Sequence, residues 1–434
     1  MKSYIYFETY GCSANQNNSE IMKGLVKQAG YEITSNEKIA DIIIINSCVV
    51  KGKTENKIKR RIQDLSKSGK LVIVSGCIAE TDYKKIKKLT PKSIFLGTHH
   101  IKDIVKLIKD HSLNNLNNKK QEDYLSDRLE EKLVLPKIPE NNLISIIQIS
   151  EGCLGECTYC KTRLAKGKLS SYNPDLIIKS IENDLSSGAK EIWLTSQDCA
   201  SYGLEKGSYL LPTLLKRIIS LKGNFKIRLG MSNPNNLYPI LDELLEIYDS
   251  SKIYKFLHLP IQSASDKVLL DMKRPYKISK VYEIIKKFRK KYPNITIATD
   301  IITGYPTESD LDHKLNLDFI KEYKPDVFNL SKFSSHKGTM AEKLPILPIK
   351  VINKRTTELM ELHRKTSQEN KQIFQNKDIK VFVNKKTLVP NIYESRDENY
   401  NIVLVSSKDK SILGKSVQVK IKNIGVHHMI GEFS

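Results

Sequence analysis

Three cysteines in the middle of the chain have the spacing of a metal site on one loop. Cys153, Cys157 and Cys160 form a C-x3-C-x2-C pattern within EGCLGECTYCKTRLAKG. Thiolates this close together can surround a compact metal centre. A structural zinc site normally takes four protein ligands, whereas this loop supplies three and no histidine follows nearby. The pattern therefore favours a [4Fe-4S] cluster with one iron open over a zinc site or a loop without metal.

An open iron would permit radical chemistry. It can chelate the amino and carboxylate groups of S-adenosylmethionine, and one electron from the cluster can then break a carbon–sulfur bond to release a 5′-deoxyadenosyl radical. The position of the loop agrees with this chemistry. It follows the first strand of a predicted barrel, and barrel active sites lie at the carboxyl ends of strands.

Three further cysteines, Cys12, Cys48 and Cys77, are far apart in sequence but similar in context. They end the runs FETYGC, IINSC and IVSGC, each just past a predicted parallel strand. The carboxyl ends of such strands line one edge of a sheet, where ligands bind. We therefore predict a second cluster with an open iron. The alternative is three cysteines buried separately as small core residues.

Four segments of different character hold these residues. Residues 1–112 alternate helical patterns with the β-branched runs IYFET, DIIIINS and LVIVSG, which predicts a doubly wound parallel α/β domain. Residues 113–138 are polar, Asn-rich and closed by two prolines, which predicts a linker. Residues 139–370 contain six strand–helix units and predict a partial (β/α) barrel. Residues 371–434 contain short alternating strands and predict a small antiparallel β-barrel.

Charge and cysteine number restrict the class of protein. The 434 residues carry a net charge of +22, which favours a polyanionic partner, although a composition rich in lysine could raise the charge without one. An odd count of seven cysteines argues against a disulfide framework. The first residues lack the apolar run of a signal peptide, and no stretch is long enough to cross a membrane. We therefore expect a cytoplasmic protein without a membrane partner.

The motifs together resemble the methylthiotransferase family of radical-SAM enzymes over nearly the whole chain. The similar runs are TYGCSANQNNSE, NSCVVKGKTENK, SGCIAE, EGCLGECTYCKTRLAKGKLSSY, RLGMSNP, HLPIQSASDKVLLDMKRPY and TDIITGYPTESD. The resemblance implies a radical-SAM barrel followed by a TRAM-like RNA-binding β-barrel. It also implies two [4Fe-4S] clusters: one S-adenosylmethionine methylates sulfur at the first cluster, and a second yields the radical at the other. Hydrogen is then removed from an unreactive carbon, to which the methylthio group is transferred.

The run CTYCKTRLAKGKLSSY resembles the archaeal and eukaryotic branch, which acts on N6-threonylcarbamoyladenosine beside the anticodon of tRNA. This implies that the product is the 2-methylthio derivative. The threonylcarbamoyl group carries a carboxylate, so Lys161, Arg163 or Lys166 is expected to bind it. The partners implied are the anticodon stem-loop of tRNA and an electron donor, and we expect a monomer.

Other polar residues end predicted barrel strands and are candidates for binding S-adenosylmethionine. Tyr159, between two cysteines, is expected to cover the adenine, unless it only packs the loop. The remaining candidates, which could instead be helix caps, are Ser196, Gln197, Asp198, Asn233, Gln262 and Asp300. Cys199 is expected to be buried as a small side chain, and the pair His99 and His100 is expected to lie at the surface.

Competing functions remain open at this point. Within the enzyme class, the alternatives are methylthiolation of isopentenyladenosine in tRNA or of a ribosomal protein residue. A ribosomal protein target would favour an acidic or neutral C-terminal barrel, whereas residues 371–434 carry 11 Lys and Arg against 6 Asp and Glu. The non-enzyme alternative is an RNA-binding iron–sulfur protein or electron carrier, which would typically have four cysteines per cluster.

Overall fold

The N-terminal part of the chain forms a five-stranded parallel sheet with strand order β2-β1-β3-β4-β5. The structure is a computed structural model that describes residues 3–49, 52–117, 123–125 and 130–433. The strands are β1 Tyr4–Tyr10, β2 Glu32–Thr34, β3 Ile42–Ser47, β4 Leu71–Ser75 and β5 Ile94–Leu96. The helices are α1 Ser13–Gln28, α2 Gly52–Ser66, α3 Cys77–Thr81, α4 Tyr83–Leu89 and α5 Ile104–Asn117. Strand β3 is buried along its whole length, which explains its continuous apolar run.

The central part contains two three-stranded parallel sheets, ordered β10-β9-β6 and β11-β12-β13. An isolated parallel bridge from Ile227 to Ile253 links β10 to the segment before β11. The main strands are β6 Ile144–Gln148, β9 Glu191–Thr195, β10 Lys226–Leu229, β11 Phe256–His258, β12 Thr296–Thr303 and β13 Val327–Lys332. A two-stranded ribbon, β7 Ser150–Glu151 with β8 Ser170–Ser171, brackets the cysteine loop. The six strands predicted from the sequence are all present.

Helices alternate with these strands. Their bounds are α6 Lys161–Lys166, α7 Pro174–Ser186, α8 Leu211–Ser220, α9 Pro234–Leu237, α10 Leu241–Ile247, α11 Asp266–Asp271, α12 Ile278–Lys291, α13 Asp310–Tyr323 and α14 Ile349–Lys371. The largest apolar core lies between these helices and the parallel strands. The predicted partial (β/α) barrel is therefore confirmed.

The C-terminal part is a closed β-barrel with strand order β14-β15-β16-β18-β17. Its strands are β14 Asp378–Lys386, β15 Ile392–Arg396, β16 Ile402–Ser406, β17 Ser416–Ile424 and β18 Met429–Phe433. The first four strands along the chain match the short alternating runs IKVFVN, LVPNIYES, YNIVLVSS and KSVQVKIKNI. The last, β18, was not predicted, because two histidines precede it and Gly431 interrupts its alternating pattern.

The predicted linker, residues 113–138, is more structured than its polar composition suggested. Helix α5 extends to Asn117, so the first five of these residues are helical. Residues 118–122 and 126–129 lie outside the described part of the chain. The segment after them packs into the protein, since Glu130 and Lys132 are only 6% and 2% exposed. It connects the two α/β parts through buried charged groups, which a spacer would not do.

The turn between β15 and β16 plugs the amino-terminal end of the central barrel. Tyr400 is 8% exposed, and its ring centroid lies 4.8 Å from that of Tyr254 and 5.0 Å from that of Phe256. The guanidinium of Arg396 lies 4.4 Å from the centre of the Tyr400 ring. The backbone N–H of Lys255 donates to the carbonyl of Glu398 at 2.8 Å. The C-terminal barrel is thus anchored to the central barrel through an aromatic core.

None of the helices in the described ranges is long and apolar enough to cross a membrane.

The plug yields a prediction about stability. Tyr400→Ala should lower the free energy of unfolding by about 3–5 kcal/mol, because it removes a buried ring from an aromatic cluster. Leu388→Ala is the control, since Leu388 is fully exposed and should change stability by less than about 0.5 kcal/mol. Urea unfolding monitors both variants. Equal stability of the two variants would contradict the anchoring role of Tyr400.

Candidate functional site: two cysteine triads and the cavity at the central one

Cys12, Cys77 and Cys153 each come directly after a glycine. The backbone conformation at these three positions is one that only glycine adopts readily. Gly11, Gly76 and Gly152 have φ angles of 128°, 86° and 75°, in the region that favours glycine. A Cβ on Gly152 would overlap the Lys168 carbonyl oxygen, and one on Gly11 would overlap the Cys48 side chain. Each glycine therefore allows the strand to turn sharply into the cysteine that follows.

The three N-terminal cysteines come together at the carboxyl edge of the sheet. Cys12 is the N-cap of α1, and Cys77 is the first residue of α3. A side-chain hydrogen bond with Cys48, together with burial, raises the pKa of the Cys77 thiol, and the charge of Cys77 also acts on Cys12. The thiol of Cys12 donates to Asn15 Oδ1 at 3.4 Å. Cys12 is exposed, Cys48 is half-buried and Cys77 is buried, so the group is open on one side.

The three central cysteines surround a small loop closed by hydrogen bonds to sulfur. The backbone N–H of Gly155 donates to Cys153 Sγ at 3.3 Å, and Arg274 Nη1 donates to Cys157 Sγ at 3.6 Å. Cys160 is the N-cap of α6. Burial raises the pKa of Cys153 to about 11, so a bound metal would have to displace its proton.

The thiols suit a cluster better than a single ion. The central triad supplies three sulfur donors, and two of them, Cys153 and Cys157, also accept N–H bonds, as cluster ligands commonly do. Three thiols on one loop, without a fourth protein ligand beside them among the described residues, fit an iron–sulfur cluster with an open position.

One cavity of about 290 Å³ lies at the central triad and reaches the N-terminal domain beside the other triad. Its walls include the three central cysteines and, from the N-terminal domain, Val49, which follows Cys48. Nine of the ten other residues predicted for the site also line it: Tyr159, Lys161, Arg163, Lys166, Gln197, Asp198, Asn233, Gln262 and Asp300.

Apart from the three N-terminal cysteines, Ser196 is the predicted residue that does not line the cavity. Its side chain is buried, and its hydroxyl accepts the backbone N–H of Asp198 at 3.0 Å. Asp198 and Asn233 line the cavity, but their side chains cap backbone turns. Asp198 Oδ1 accepts the N–H of Ala200 and of Asn233, and Asn233 Oδ1 accepts the N–H of Asn235. The capping interpretation weighed for this group therefore applies to these three residues.

Two other predicted residues have features that point to a ligand. Gln197 Oε1 is buried, and within the described chain it has no hydrogen-bond partner. Gln262 has a φ of 70°, a strained conformation for a side chain of this kind. Its N–H donates to the Asp300 carbonyl at 2.7 Å, and the Asp300 carboxylate pairs with His258 Nε2 at 2.5 Å.

The three predicted basic residues differ in their surroundings. Lys161 Nζ donates to Asp82 Oδ2 at 2.6 Å, and Lys166 Nζ donates to Glu151 Oε1 at 2.8 Å. Arg163 Nη1 donates to the carbonyl of Gly167 at 3.2 Å, while its Nε is buried without a partner among the described residues. Arg163 is therefore the one of the three whose cation has no acidic partner in the described part of the chain.

Beside the cavity lies a buried charge cluster centred on Glu151. Its carboxylate accepts bonds from Lys132 Nζ at 2.7 and 2.8 Å, from Lys166 Nζ at 2.8 Å and from the Tyr172 hydroxyl at 3.0 Å. His99 Nδ1 lies 3.4 Å from Glu151 Oε2. Although burial opposes it, these cations hold the pKa of Glu151 well below its usual value.

The expectation that His99 and His100 lie at the surface is wrong. His99 and His100 are 5% and 7% exposed, so neither is a surface residue. His100 Nδ1 lies 2.8 Å from Asp103 Oδ2. Cys199 is fully buried in the central core, as predicted.

Comparison with known proteins gives the same two functional parts. Residues 4–97 match the uncharacterized protein family UPF0004, and residues 147–320 match the Radical SAM superfamily. A probable threonylcarbamoyladenosine tRNA methylthiotransferase of Archaeoglobus fulgidus is 36% identical over 99% of this chain and 98% of its own length. The human threonylcarbamoyladenosine tRNA methylthiotransferase is also 36% identical, over 99% of this chain and 73% of its own.

This chain belongs to the threonylcarbamoyladenosine tRNA methylthiotransferase family. The resemblance inferred from the cysteine motifs is therefore confirmed. Among solved structures, the radical S-adenosylmethionine methyltransferase TsrM from Kitasatospora setae, which has cobalamin and a [4Fe-4S] cluster bound, gives a TM-score of 0.56 at 11% identity. The match covers 79% of this chain and 77% of that one, and it supports the fold.

Three residues of this methylthiotransferase family member were missed by sequence reasoning. Arg274 lies in the quoted run HLPIQSASDKVLLDMKRPY, but its contact with Cys157 joins residues far apart in sequence and could not be inferred from that run. Glu151 stands two residues before Cys153, and this closeness to a predicted ligand is a weak sign of a role at the site. Lys132 lies in a segment that reads as a linker, and nothing in the sequence marks it.

The two triads predict the metal content. Protein prepared without oxygen should contain about eight irons per chain, as two [4Fe-4S] clusters require. Replacing Cys153, Cys157 and Cys160 with alanine should leave about four. Cys199→Ala is the matched control and should keep both clusters, since Cys199 is buried away from the cavity. Stoichiometric zinc with little iron would contradict the assignment.

Proposed function

We propose that this protein converts N6-threonylcarbamoyladenosine beside the tRNA anticodon to its 2-methylthio derivative, acting as a radical-SAM methylthiotransferase. The observation that carries the proposal is that the cavity lined by the central cysteine triad extends to Val49, the residue after Cys48 of the N-terminal triad. Transfer between two centres needs such closeness. An electron carrier does not need it.

Cys153, Cys157 and Cys160 would hold one [4Fe-4S] cluster, and Cys12, Cys48 and Cys77 the other. Bound there with S-adenosylmethionine, these groups supply the radical that activates a carbon–hydrogen bond and the sulfur that replaces the hydrogen. The chain itself supplies the surroundings. Arg274 donates to Cys157 and to the carbonyl of Pro260, which holds the central loop against the barrel wall.

The cofactor side of the cavity has both polar and apolar surfaces. Gln197 presents an unpaired oxygen that suits the ammonium group of S-adenosylmethionine. Tyr159 packs against a core cluster that includes Met272 and Phe333 and lines the cavity, so its ring can cover an adenine. Gln262 and Asp300 lie on the same wall, and Asp198 and Asn233 support it from behind through their capping bonds.

Arg163 is the best candidate for the substrate carboxylate. Lys161 and Lys166 are engaged with Asp82 and Glu151, whereas Arg163 lines the cavity with a buried Nε that has no described partner. A guanidinium binds a carboxylate through two parallel hydrogen bonds. An isopentenyl group would instead favour an apolar wall.

The remaining partners follow from charge and from the family. The net charge of +22 favours tRNA, and the closed C-terminal barrel carries exposed lysines on its β14–β15 hairpin. We infer binding of the anticodon stem-loop by a cytoplasmic monomer that receives electrons from a separate donor.

Arg163 provides the test of substrate choice. Arg163→Met should lower kcat/KM for a stem-loop with threonylcarbamoyladenosine by about 10–100-fold, since a charge-assisted hydrogen bond contributes about 1.5–3 kcal/mol. Cleavage of S-adenosylmethionine in the absence of RNA should persist. The measurement is turnover on matched stem-loops that carry either modification.

Arg163→Lys is the conservative control and should retain part of the activity. Preference of the native enzyme for the isopentenyl stem-loop, or for a ribosomal peptide, would contradict the proposed substrate. Equal loss on both stem-loops in Arg163→Met would show that Arg163 does not read the carboxylate.

RNA binding can be tested without removing the C-terminal barrel, whose loss would remove the aromatic plug and expose Tyr254 and Phe256. Lys385 and Lys386 are exposed on that barrel. Changing both to alanine should weaken tRNA affinity and make its dependence on salt less steep, because two phosphate contacts are lost. Glu432→Gln, on the same barrel, removes a negative charge and should not weaken binding. Unchanged affinity of the double lysine variant would place the RNA elsewhere.

A further inference from the structure

The buried cluster around Glu151 contains two lysine ammonium groups but one carboxylate that binds both. The charge of Glu151 alone therefore does not balance the two lysines. Lys132 and Lys166 both bind Glu151 and are almost fully buried, with 1% and 2% of their side chains exposed. Burying an ammonium without a compensating anion is costly. The two lysines share this one carboxylate, and Lys132 is influenced in addition by Glu130.

Lys166 lines the same cavity as Val49, the residue after Cys48, and so lies on the side of the Glu151 cluster nearest the N-terminal cysteine triad. Burial opposes its charge, but Glu151, Cys77 and Cys12 together raise the pKa of Lys166 above its ordinary value. The geometry agrees with this electrostatic relation. Ala165, the preceding residue, packs in the same apolar cluster as Cys77 and Val49, and its carbonyl accepts the Thr98 hydroxyl at 3.3 Å.

Lys132 differs from Lys166 in what it touches. Its ammonium donates to the carbonyl of Thr98 at 2.6 Å and to both oxygens of Glu151. The groups that act most on its pKa are burial, Glu151, Lys166 and Glu130. The two lysines thus share a carboxylate, and Lys166 is the one directed toward Cys12 and Cys77.

We propose that Lys166 is the electrostatic partner of the metal centre at Cys12, Cys48 and Cys77, and that Glu151 positions its ammonium there. The inference rests on the proposed function, because it takes a cluster at that triad as given. A fixed positive charge beside an anionic centre favours the reduced, more negative state. Lys166 therefore raises the reduction potential of the N-terminal centre and helps retain its iron.

The experiment uses full-length protein in which Cys153, Cys157 and Cys160 are alanine, so that any iron signal comes from the N-terminal centre. Lys166→Met in this background should shift the midpoint potential of the centre to more negative values, as measured by a redox titration followed by electron paramagnetic resonance. Lys166→Arg should restore the potential toward that of the background, since it keeps the charge.

Lys132→Met is the matched control. It removes the other ammonium from Glu151, yet the potential should stay near that of the background. The double variant Glu151→Gln with Lys166→Met removes the carboxylate and the ammonium together. It therefore does not leave the Glu151 carboxylate with one of its two lysine partners missing. Its potential should remain low, because the charge facing the cysteines is still missing.

Several results would overturn the inference. One is an unchanged potential in Lys166→Met, and another is an equal shift in Lys132→Met. A third is recovery of the potential in the double variant, which would assign the effect to the ion pair as a whole. If Lys166→Met loses its iron, restoration of iron by Lys166→Arg supports the inference and failure of that restoration refutes it. Absence of iron in the background protein itself would instead refute the cluster assignment of the proposed function.

Discussion

The relative placement of the two cysteine triads depends on the buried carboxylate of Glu151. It joins Lys132 of the connecting segment, Lys166 at the end of the cysteine-loop helix and His99 of the N-terminal domain. Removing one partner of a buried ion pair typically costs about 3–5 kcal/mol, because it leaves an uncompensated charge. Such a contact tolerates little displacement, so the N-terminal domain and the radical-SAM loop are held in one geometry. The extension of the central cavity to Val49, beside Cys48, follows from that geometry.

Within each part, parallel strands and left-handed glycines bring the cysteines to one edge. All five N-terminal strands run in the same direction, so the residues that follow them meet at one side of the sheet. Gly11, Gly76 and Gly152 then allow a turn that no side chain would permit. The same local device therefore serves both triads, although one is gathered from three strands and the other from a single loop.

How far the sequence could predict the site depended on whether the interactions were local. The cysteines, the strands before them and the polar residues after barrel strands follow local patterns, and the structure brings the central cysteines and most of these polar residues to one cavity. The partner of Lys161 could not be inferred, because Asp82 reaches it only when the N-terminal domain packs against the cysteine loop. His99 looked like a surface residue for the same reason. Ser196 was predicted to bind a ligand, but its side chain caps a turn. The sequence could not separate the two roles, because a serine that caps a turn has the same sequence context as one that binds a ligand.

The C-terminal barrel completes the arrangement through its aromatic plug, which holds that barrel in fixed relation to the central barrel and its cavity. The central claim is that this cavity methylthiolates threonylcarbamoyladenosine in tRNA. Mass spectrometry of tRNA nucleosides, with and without the gene, tests it most directly. The account predicts that 2-methylthio-N6-threonylcarbamoyladenosine disappears on deletion while its unmodified precursor accumulates, and that only an intact gene restores it. An unchanged level of the methylthio nucleoside after deletion would contradict the account.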